Sequence, residues 1–335
     1  MSPSFMVEGM KVKTIDDIAR EAGVSKATVS RVLSHPELVR PKTQQRVQKV
    51  IDKYSYSPNH LAQGLAGTPT KTIGVVIDEL SNFFFIEVAE GIDRILSAHQ
   101  YSMLLCSSKW VEEEETRLVQ SLIASRVDGV LLASIKPQSK SMELLTKANI
   151  PFVVLNCIPD DPSLSFVCCD NKKGGQLAAL HINNNTREQI MIITGFDHQT
   201  IEDRLEGFNS HINTTDFIHY TQVETQQDGY DLVPTLIKER HIDTKATFIF
   251  VTNDNVAIGI INALTNLNIS IPDQVAIIGY DNIRVSAISR VPLTTISQSI
   301  TESGEIAATN LLKLITTKET THTLIEPFLV QRESG

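Results

Sequence analysis

The stretch Ala19–Leu33, AREAGVSKATVSRVL, decides how this chain is read, because it sets a cationic helical face in a protein that is acidic overall. Gly23 ends one helical run and Ser25 is placed to cap the next. At about 100° per residue, Val29, Val32 and Leu33 share one arc of the second helix, and Lys26, Ala27, Ser30 and Arg31 share the opposite one. The first arc suits burial. The second is polar and cationic, with a helix N-terminus at its leading end that attracts phosphate. Upstream, Thr14 can cap IDDIAREA, with Asp17 at the third helical position and Ile15, Ile18, Ala19 and Ala22 as the buried stripe. Downstream, Pro41 opens KTQQRVQKVIDKY, with Val47, Val50, Ile51 and Tyr54 on one face. With Val24 plugging the corner of the turn, three short helices form a helix-turn-helix unit whose second helix enters the major groove. Lys26 and Arg31 are the residue types that bond guanine O6 and N7, and Ala27 can touch a thymine methyl. The competing account is an ordinary three-helix bundle with a solvated basic face.

Charge is distributed to match. Residues 1–70 hold 10 Lys and Arg against 6 Asp and Glu, whereas the other 265 residues hold 20 against 33. A basic module on an acidic body follows, and the whole-chain net charge of −9 misleads about nucleic acid. No apolar run approaches a membrane span; the longest, such as TIGVVI and PFVVL, have the size of buried strands. The opening MSPSFMVEGM lacks the basic region and long apolar core of a signal peptide, and residues 1–13 are expected to be a disordered leader. Cys106, Cys157, Cys168 and Cys169 form no CxxC and sit in apolar, strand-like stretches, which points to small core hydrophobes in a reducing cytoplasm.

Residues 57–70, SPNHLAQGLAGTPT, are rich in Pro, Gly and small polar groups and read as a linker able to hold a short helix over 59–66. From Lys71 the pattern becomes strand–helix alternation, in TIGVVI, YSMLLC, DGVLLA, PFVVL, SFVCC, QIMIIT, TFIFVT and VAIIGY. Strands this uniformly apolar are buried on both faces, as in parallel sheets covered by helices. About 265 residues of such a pattern are too many for one simple sheet and imply two α/β lobes.

The motif TIDDIAREAGVSKATVSRVL, followed by V-x-x-x-T-x-x-x-V and YSPNHLAQGLAG, resembles the LacI/GalR family of bacterial transcription regulators. The resemblance continues through IGVVIDELSNFFF, RVDGVLLAS, VCCDNKKGG, TIEDRLEGF, FVTNDNVAIG, VAIIGYDN and PLTTISQ, in family order. It implies a helix-turn-helix domain over 14–57, a hinge helix and linker over 58–70, and a two-lobed, periplasmic-binding-protein-like body of two doubly wound parallel sheets over 71–335. One lobe would comprise about 71–169 and 298–322, the other about 170–297 and 323–335. By resemblance, Lys26, Ala27 and Arg31 read bases, while Thr14, Ser25, Thr28, Ser30, Tyr56 and Asn59 contact phosphates. Leu65 matches the leucine lever that wedges into the minor groove and kinks the DNA. Gly64 inside that hinge costs about 1 kcal/mol against Ala, so the hinge is expected to fold only on DNA, beside its partner hinge.

In open α/β sheets a ligand lies beyond the carboxyl ends of the strands. Here those ends carry DELSNFFF, LNC, CDN, TGFDHQTIEDR, TND and YDN, polar groups suited to hydroxyls with a Phe run as an apolar wall. The resemblance places Phe84, Phe85, Asn156, Arg204, Asn253 and Asp281 in the effector pocket. Phe83 replaces a Pro common in relatives, and of three consecutive phenylalanines at least one is expected to be core instead of pocket. VETQQDGY lacks the aromatic that several relatives carry before the Gly–Tyr pair, which leaves the sugar open. No GxGxxG, HExxH or G-x-S-x-G arrangement is present, and the nine histidines, read as surface or cap residues, show no metal-ligand spacing, so neither enzyme, cofactor nor metal site is expected. The terminal LVQRESG carries no Leu heptads, which makes a homodimer the expectation, and a dimer suits a palindromic operator in double-stranded DNA. The function expected is a repressor of carbohydrate-metabolism genes, its operator affinity set by a small polar effector. The alternatives are control by a protein corepressor, or a solute-binding protein with no DNA role.

Overall fold

The computed structural model describes residues 13–54, 56, 69–133, 136–185, 187–196, 198–239, 242 and 246–335. The chain divides into two units, Met1–Thr70 and Lys71–Gly335. Asn59, Gly64 and Leu65, and the expected leader apart from Lys13, lie outside the described residues.

The first unit holds α1 (Ile15–Ala22), α2 (Lys26–Ser34) and α3 (Pro41–Tyr54). Thr14 caps α1 in a capping box: its hydroxyl accepts the Asp17 N–H at 3.3 Å, and the Asp17 carboxylate accepts the Thr14 N–H at 3.0 Å. Gly23 then reverses the chain at φ +59°, a left-handed conformation that a side chain disfavours. Ile18, Val29 and Val47, one from each helix, are fully buried together, each burial worth about 1.5–3 kcal/mol. Ile15, Val24, Leu33 and Tyr54 pack at the edge of this core and are only partly covered.

The second unit alternates strand and helix as far as its fourth strand, and a further strand then follows directly: β1 (Thr72–Ile77), α4 (Phe83–Ala98), β2 (Ser102–Ser107), α5 (Glu112–Ala124), β3 (Gly129–Ala133), α6 (Lys140–Lys147), β4 (Phe152–Leu155) and β5 (Ser165–Cys169). It continues with α7 (Asn171–Asn184), β6 (Gln189–Ile193), α8 (Gln199–Asn209), β7 (Ile218–Tyr220), α9 (Gln226–Lys238), β8 (Thr247–Val251), α10 (Asp254–Asn266) and β9 (Val275–Asp281). The end of the chain supplies β10 (Thr294–Ser297), α11 (Ile300–Thr317), β11 (His322–Ile325) and β12 (Phe328–Val330). Two six-stranded sheets result, ordered β11-β5-β4-β3-β1-β2 and β12-β10-β9-β8-β6-β7. The first defines lobe N and the second lobe C.

Three details depart from the sequence expectation. Strand β12 runs antiparallel to β10, so the lobe C sheet is parallel except at that edge. Strand β11 pairs with β5 in lobe N, so the last crossing between lobes falls after Ile325 and not at 322/323. Strand β2 is an edge, and its residues are half-buried or exposed where two-faced burial was expected. Each follows from the ends of the sheets, where a strand has a neighbour on one side only.

Candidate effector cleft and nucleic-acid face

On the first unit, Ser25 caps α2 by accepting the Thr28 N–H at 3.1 Å, and its hydroxyl also meets Thr28 Oγ1 at 2.8 Å. Lys26, Ala27, Ser30 and Arg31 are exposed on α2, opposite the buried Val29 and Val32. Lys26 Nζ lies 3.2 Å from Asp16 of α1, so this ammonium is held back against the first helix and has to exchange partners to reach a base. Tyr56 is half-buried in the electrostatic field of Lys26 and Asp16, and burial raises its hydroxyl pKa. Thr14 is exposed at the start of α1. Ser25→Ala is expected to lower the stability of this unit by about 1 kcal/mol, read as an earlier first transition in thermal unfolding of the whole chain.

In the second unit a cavity of about 450 Å³ opens between the lobes, and it collects residues from the carboxyl ends of nine strands. Phe84, Phe85, Asn156, Arg204, Asn253 and Asp281 all line it. Phe84 and Phe85 are buried and serve core and cavity together, whereas Phe83 is 43% exposed. The expected choice between core and pocket does not arise, because α4 begins at Phe83 and its 100° steps turn the first ring outward.

Arg204 is the centre of the lobe C wall. Its Nε donates to Asn171 Oδ1 at 2.9 Å, its Nη1 donates to the Thr252 carbonyl at 2.5 Å, and its guanidinium lies 3.7 Å from the Tyr280 ring centroid. Nη1 also stands 3.8 Å from Asp281. Close crossing of α7 and α8 sets this position: a Cβ on Gly175 would fall 1.9 Å from the Arg204 carbonyl oxygen. Asp281 and Asn282 adopt φ of +122° and +61°, strain of about 1–3 kcal/mol per residue at the strand end. Asn282 is held by Arg332, whose Nη2 donates to the Asn282 side-chain Oδ1 at 2.6 Å, and Asp281 Oδ1 accepts from Gln298 Nε2 at 2.6 Å. Burial pushes the Asp281 carboxyl up to about 6, with Arg204 restraining the rise. Behind it Asp254 is fully buried, and burial and then the Asp281 charge raise its carboxyl well above the ordinary range. It accepts from Thr295 Oγ1 at 2.7 Å and the Ile283 N–H at 3.1 Å.

Several lining residues were not singled out in the sequence. Trp110, after β2, packs edge-on against Phe85 at 6.0 Å and reaches across the cleft to His198 at 5.7 Å. His198 caps α8 through the Thr200 N–H, so a cap histidine is also a cavity wall. Glu224, within VETQQDGY, lines the cavity where an aromatic was missing and accepts the Phe196 N–H. Cys169 faces the cavity, and burial raises its thiol to about 12; all four cysteines are free. No group of three or more potential metal ligands occurs among the described residues.

Asp78, at the end of β1, is 2% exposed and lines the lobe N wall. Burial and then Glu115 push its carboxyl up to about 8. The folded state thus holds this proton more tightly than the unfolded chain, so the stability it contributes is full below about pH 4 and is lost as pH rises towards 8. Asp78→Asn is expected to unfold later than the parent at pH 8, by several kcal/mol (about 5 for a rise from about 4 to about 8), with little difference near pH 4 in denaturant titrations.

The lobes are tied at one side of the cavity. Asn255 of α10 donates to Asn82 Oδ1 at 2.6 Å, and the Arg284 N–H donates to Glu87 of α4 at 2.8 Å. The Arg284 guanidinium also pairs with Glu90, an exposed contact worth little by itself.

The family model described as "Bacterial regulatory proteins, lacI family" matches residues 14–59, and "Periplasmic binding proteins and sugar binding domain of LacI family" matches residues 70–333. The chain belongs to the LacI family. Catabolite control protein A of Priestia megaterium is 31% identical to this LacI-family regulator over 314 residues, covering 92% of this chain and 93% of the relative. The HTH-type transcriptional repressor PurR of Vibrio vulnificus is 30% identical over 327 residues, covering 96% and 98%. A solved LacI-family regulator from Enterococcus faecalis with bound ribose matches at TM-score 0.70 and 30% identity, covering 78% of this chain and 98% of its own. This LacI-family protein is a DNA-binding transcription regulator with a ligand-binding body, and the relatives it matches are regulators and not enzymes. No helix among its described residues is long and apolar enough to cross a membrane.

Proposed function

We propose that this regulator is a cytoplasmic repressor of carbohydrate-metabolism genes, binding a palindromic operator as a homodimer under control of a sugar or sugar derivative in the inter-lobe cleft. The observation that carries the reading is the convergence of Phe84, Phe85, Asn156, Arg204, Asn253 and Asp281 on one cavity of about 450 Å³. Apolar rings on one side and convergent amides, a carboxyl and a guanidinium on the other suit a molecule with flat C–H faces and many hydroxyls. On the DNA side, Lys26, Ala27 and Arg31 read base edges, with Thr14, Ser25, Thr28, Ser30, Tyr56 and Asn59 on phosphates and Leu65 as the minor-groove lever. The free cysteines support a reducing compartment.

Ligand in the cavity bonds both lobes at once, so it favours one relative orientation of them over another. The preference is transmitted through residues 58–70 as a change in operator affinity, a coupling of about 1–3 kcal/mol or roughly 5–150-fold. The test has two stages. Genomic fragments retained by the purified protein identify the operator and the neighbouring genes, and its affinity for that operator is then measured with and without the metabolites those genes handle. Uniform affinity for every duplex, or no response to any such metabolite, would remove the reading.

A further inference from the structure

We propose that Asp78 is a specificity-determining residue of the cleft, placed to select an effector that carries a basic amine beside its hydroxyls. The inference rests on the cavity being the effector site. Each other acidic group on the cavity wall has a strong local donor. Asp281 faces Arg204 at 3.8 Å and accepts from Gln298, and Glu224 accepts the Phe196 N–H. Among the described residues, the Asp78 carboxyl accepts from the Ser108 hydroxyl alone, at 3.3 Å to Oδ1, and it is 2% exposed.

The charges around it are of its own sign. Glu115, fully buried on α5, and Glu79, next in the chain, both disfavour the Asp78 carboxylate. No cation figures among the groups acting on Asp78, although Lys109 lines the same cavity; Lys136 bonds Glu112 at 2.6 Å and also feels Glu113 and Glu115. A buried carboxyl in that setting holds its proton until a cation arrives. An ammonium entering the cavity supplies the missing positive charge, and the aromatic Phe85 and Trp110 line the same lobe N wall. A phosphate placed against Asp78 gains nothing from that carboxyl and is repelled by it once it ionises.

Proton balance makes the proposal measurable. Before binding, Asp78 is largely protonated near neutral pH; an ammonium pairs with the carboxylate, and the displaced proton leaves to solvent. Trp110 is the chain's single tryptophan, so its fluorescence reports on the cavity. The full-length protein is titrated at pH 7 with glucosamine, glucose and glucose 6-phosphate, and with the corresponding galactose set. Calorimetry in buffers of different ionisation enthalpy counts the protons released. The expected result is at least tenfold tighter binding of an amine than of its neutral partner, with release approaching one proton. In Asp78→Asn the amine binds no tighter than its neutral partner and no proton is released. Tighter binding of the neutral or phosphorylated member, or an amine preference that survives Asp78→Asn, overturns the proposal and leaves the cleft reading standing. A panel in which nothing binds overturns this proposal, while the cleft reading is judged separately by the operator measurement.

Discussion

Replacing Arg204 by Ala is expected to destabilise the ligand-binding body by about 3–5 kcal/mol at neutral pH, the scale for breaking a buried ion pair by removing one partner. Arg204 is 6% exposed, and its guanidinium donates to Asn171 and the Thr252 carbonyl while standing 3.8 Å from Asp281. Without it the buried Asp281 carboxyl loses its 3.8 Å cationic neighbour while still facing the buried Asp254, and the Tyr280 ring loses the guanidinium over its face. The loss should shrink on acidification, because the orphaned Asp281 escapes by taking up a proton at a still higher pH than in the parent. Denaturant midpoints at pH 7 and pH 5 measure both effects. An equal loss at the two values would show that packing over Tyr280, and not charge, is what Arg204 supplies. Because Ala damages the fold, cleft function is better tested with Arg204→Lys, which keeps the charge but not the planar fork. That variant should retain operator binding and respond weakly to ligand.

The second large effect is expected at Arg31. This side chain is exposed on α2 and takes part in no salt bridge among the described residues, so Arg31→Ala should leave thermal stability unchanged. Discrimination should suffer instead: a bidentate contact to guanine is worth about 1–3 kcal/mol against the wrong base, roughly 5–150-fold. Competition between the selected operator and single-base variants should show preference relaxed at one position in each half-site, with the other positions unaffected. Loss spread evenly over all sequences would make Arg31 a phosphate contact. Preserved discrimination would take it off the base-reading face altogether.

Both variants concern residues that were legible from sequence, and for different reasons. Around α2 the information is local. A capping hydroxyl at Ser25, a glycine able to reach φ +59° at Gly23 and a 100° step between side chains settle which residues are buried and which face outward. Around the cleft the information was positional: residues just past the carboxyl end of an apolar run face the crevice, and Arg204, Asn253 and Asp281 were found from such ends and family order. Trp110 escaped because it follows β2, an edge strand whose end was not counted among the polar termini. Asp78, His198 and Gln298 lay within quoted stretches, but nothing in their neighbours distinguishes a lining side chain from a cap. The strands β7, β10, β11 and β12 are three or four residues long, and the first three mix polar with apolar types, too short for any period to register.

Sequence alone determined the helix-turn-helix, the two-lobed α/β plan and the family, since each rests on short-range periodicity, capping chemistry or motif order. Only the tertiary structure decided that β11 and β12 part company between the lobes, and that Trp110 reaches His198 across the cavity. It also decided that Asp78 is shut away beside Glu115 while Asp281 is shut away beside Arg204. The physical reason is common to all of these. Desolvation and charge pairing depend on groups brought together from distant parts of the chain, and the free energy of a buried carboxyl is set by what surrounds it, not by what precedes or follows it.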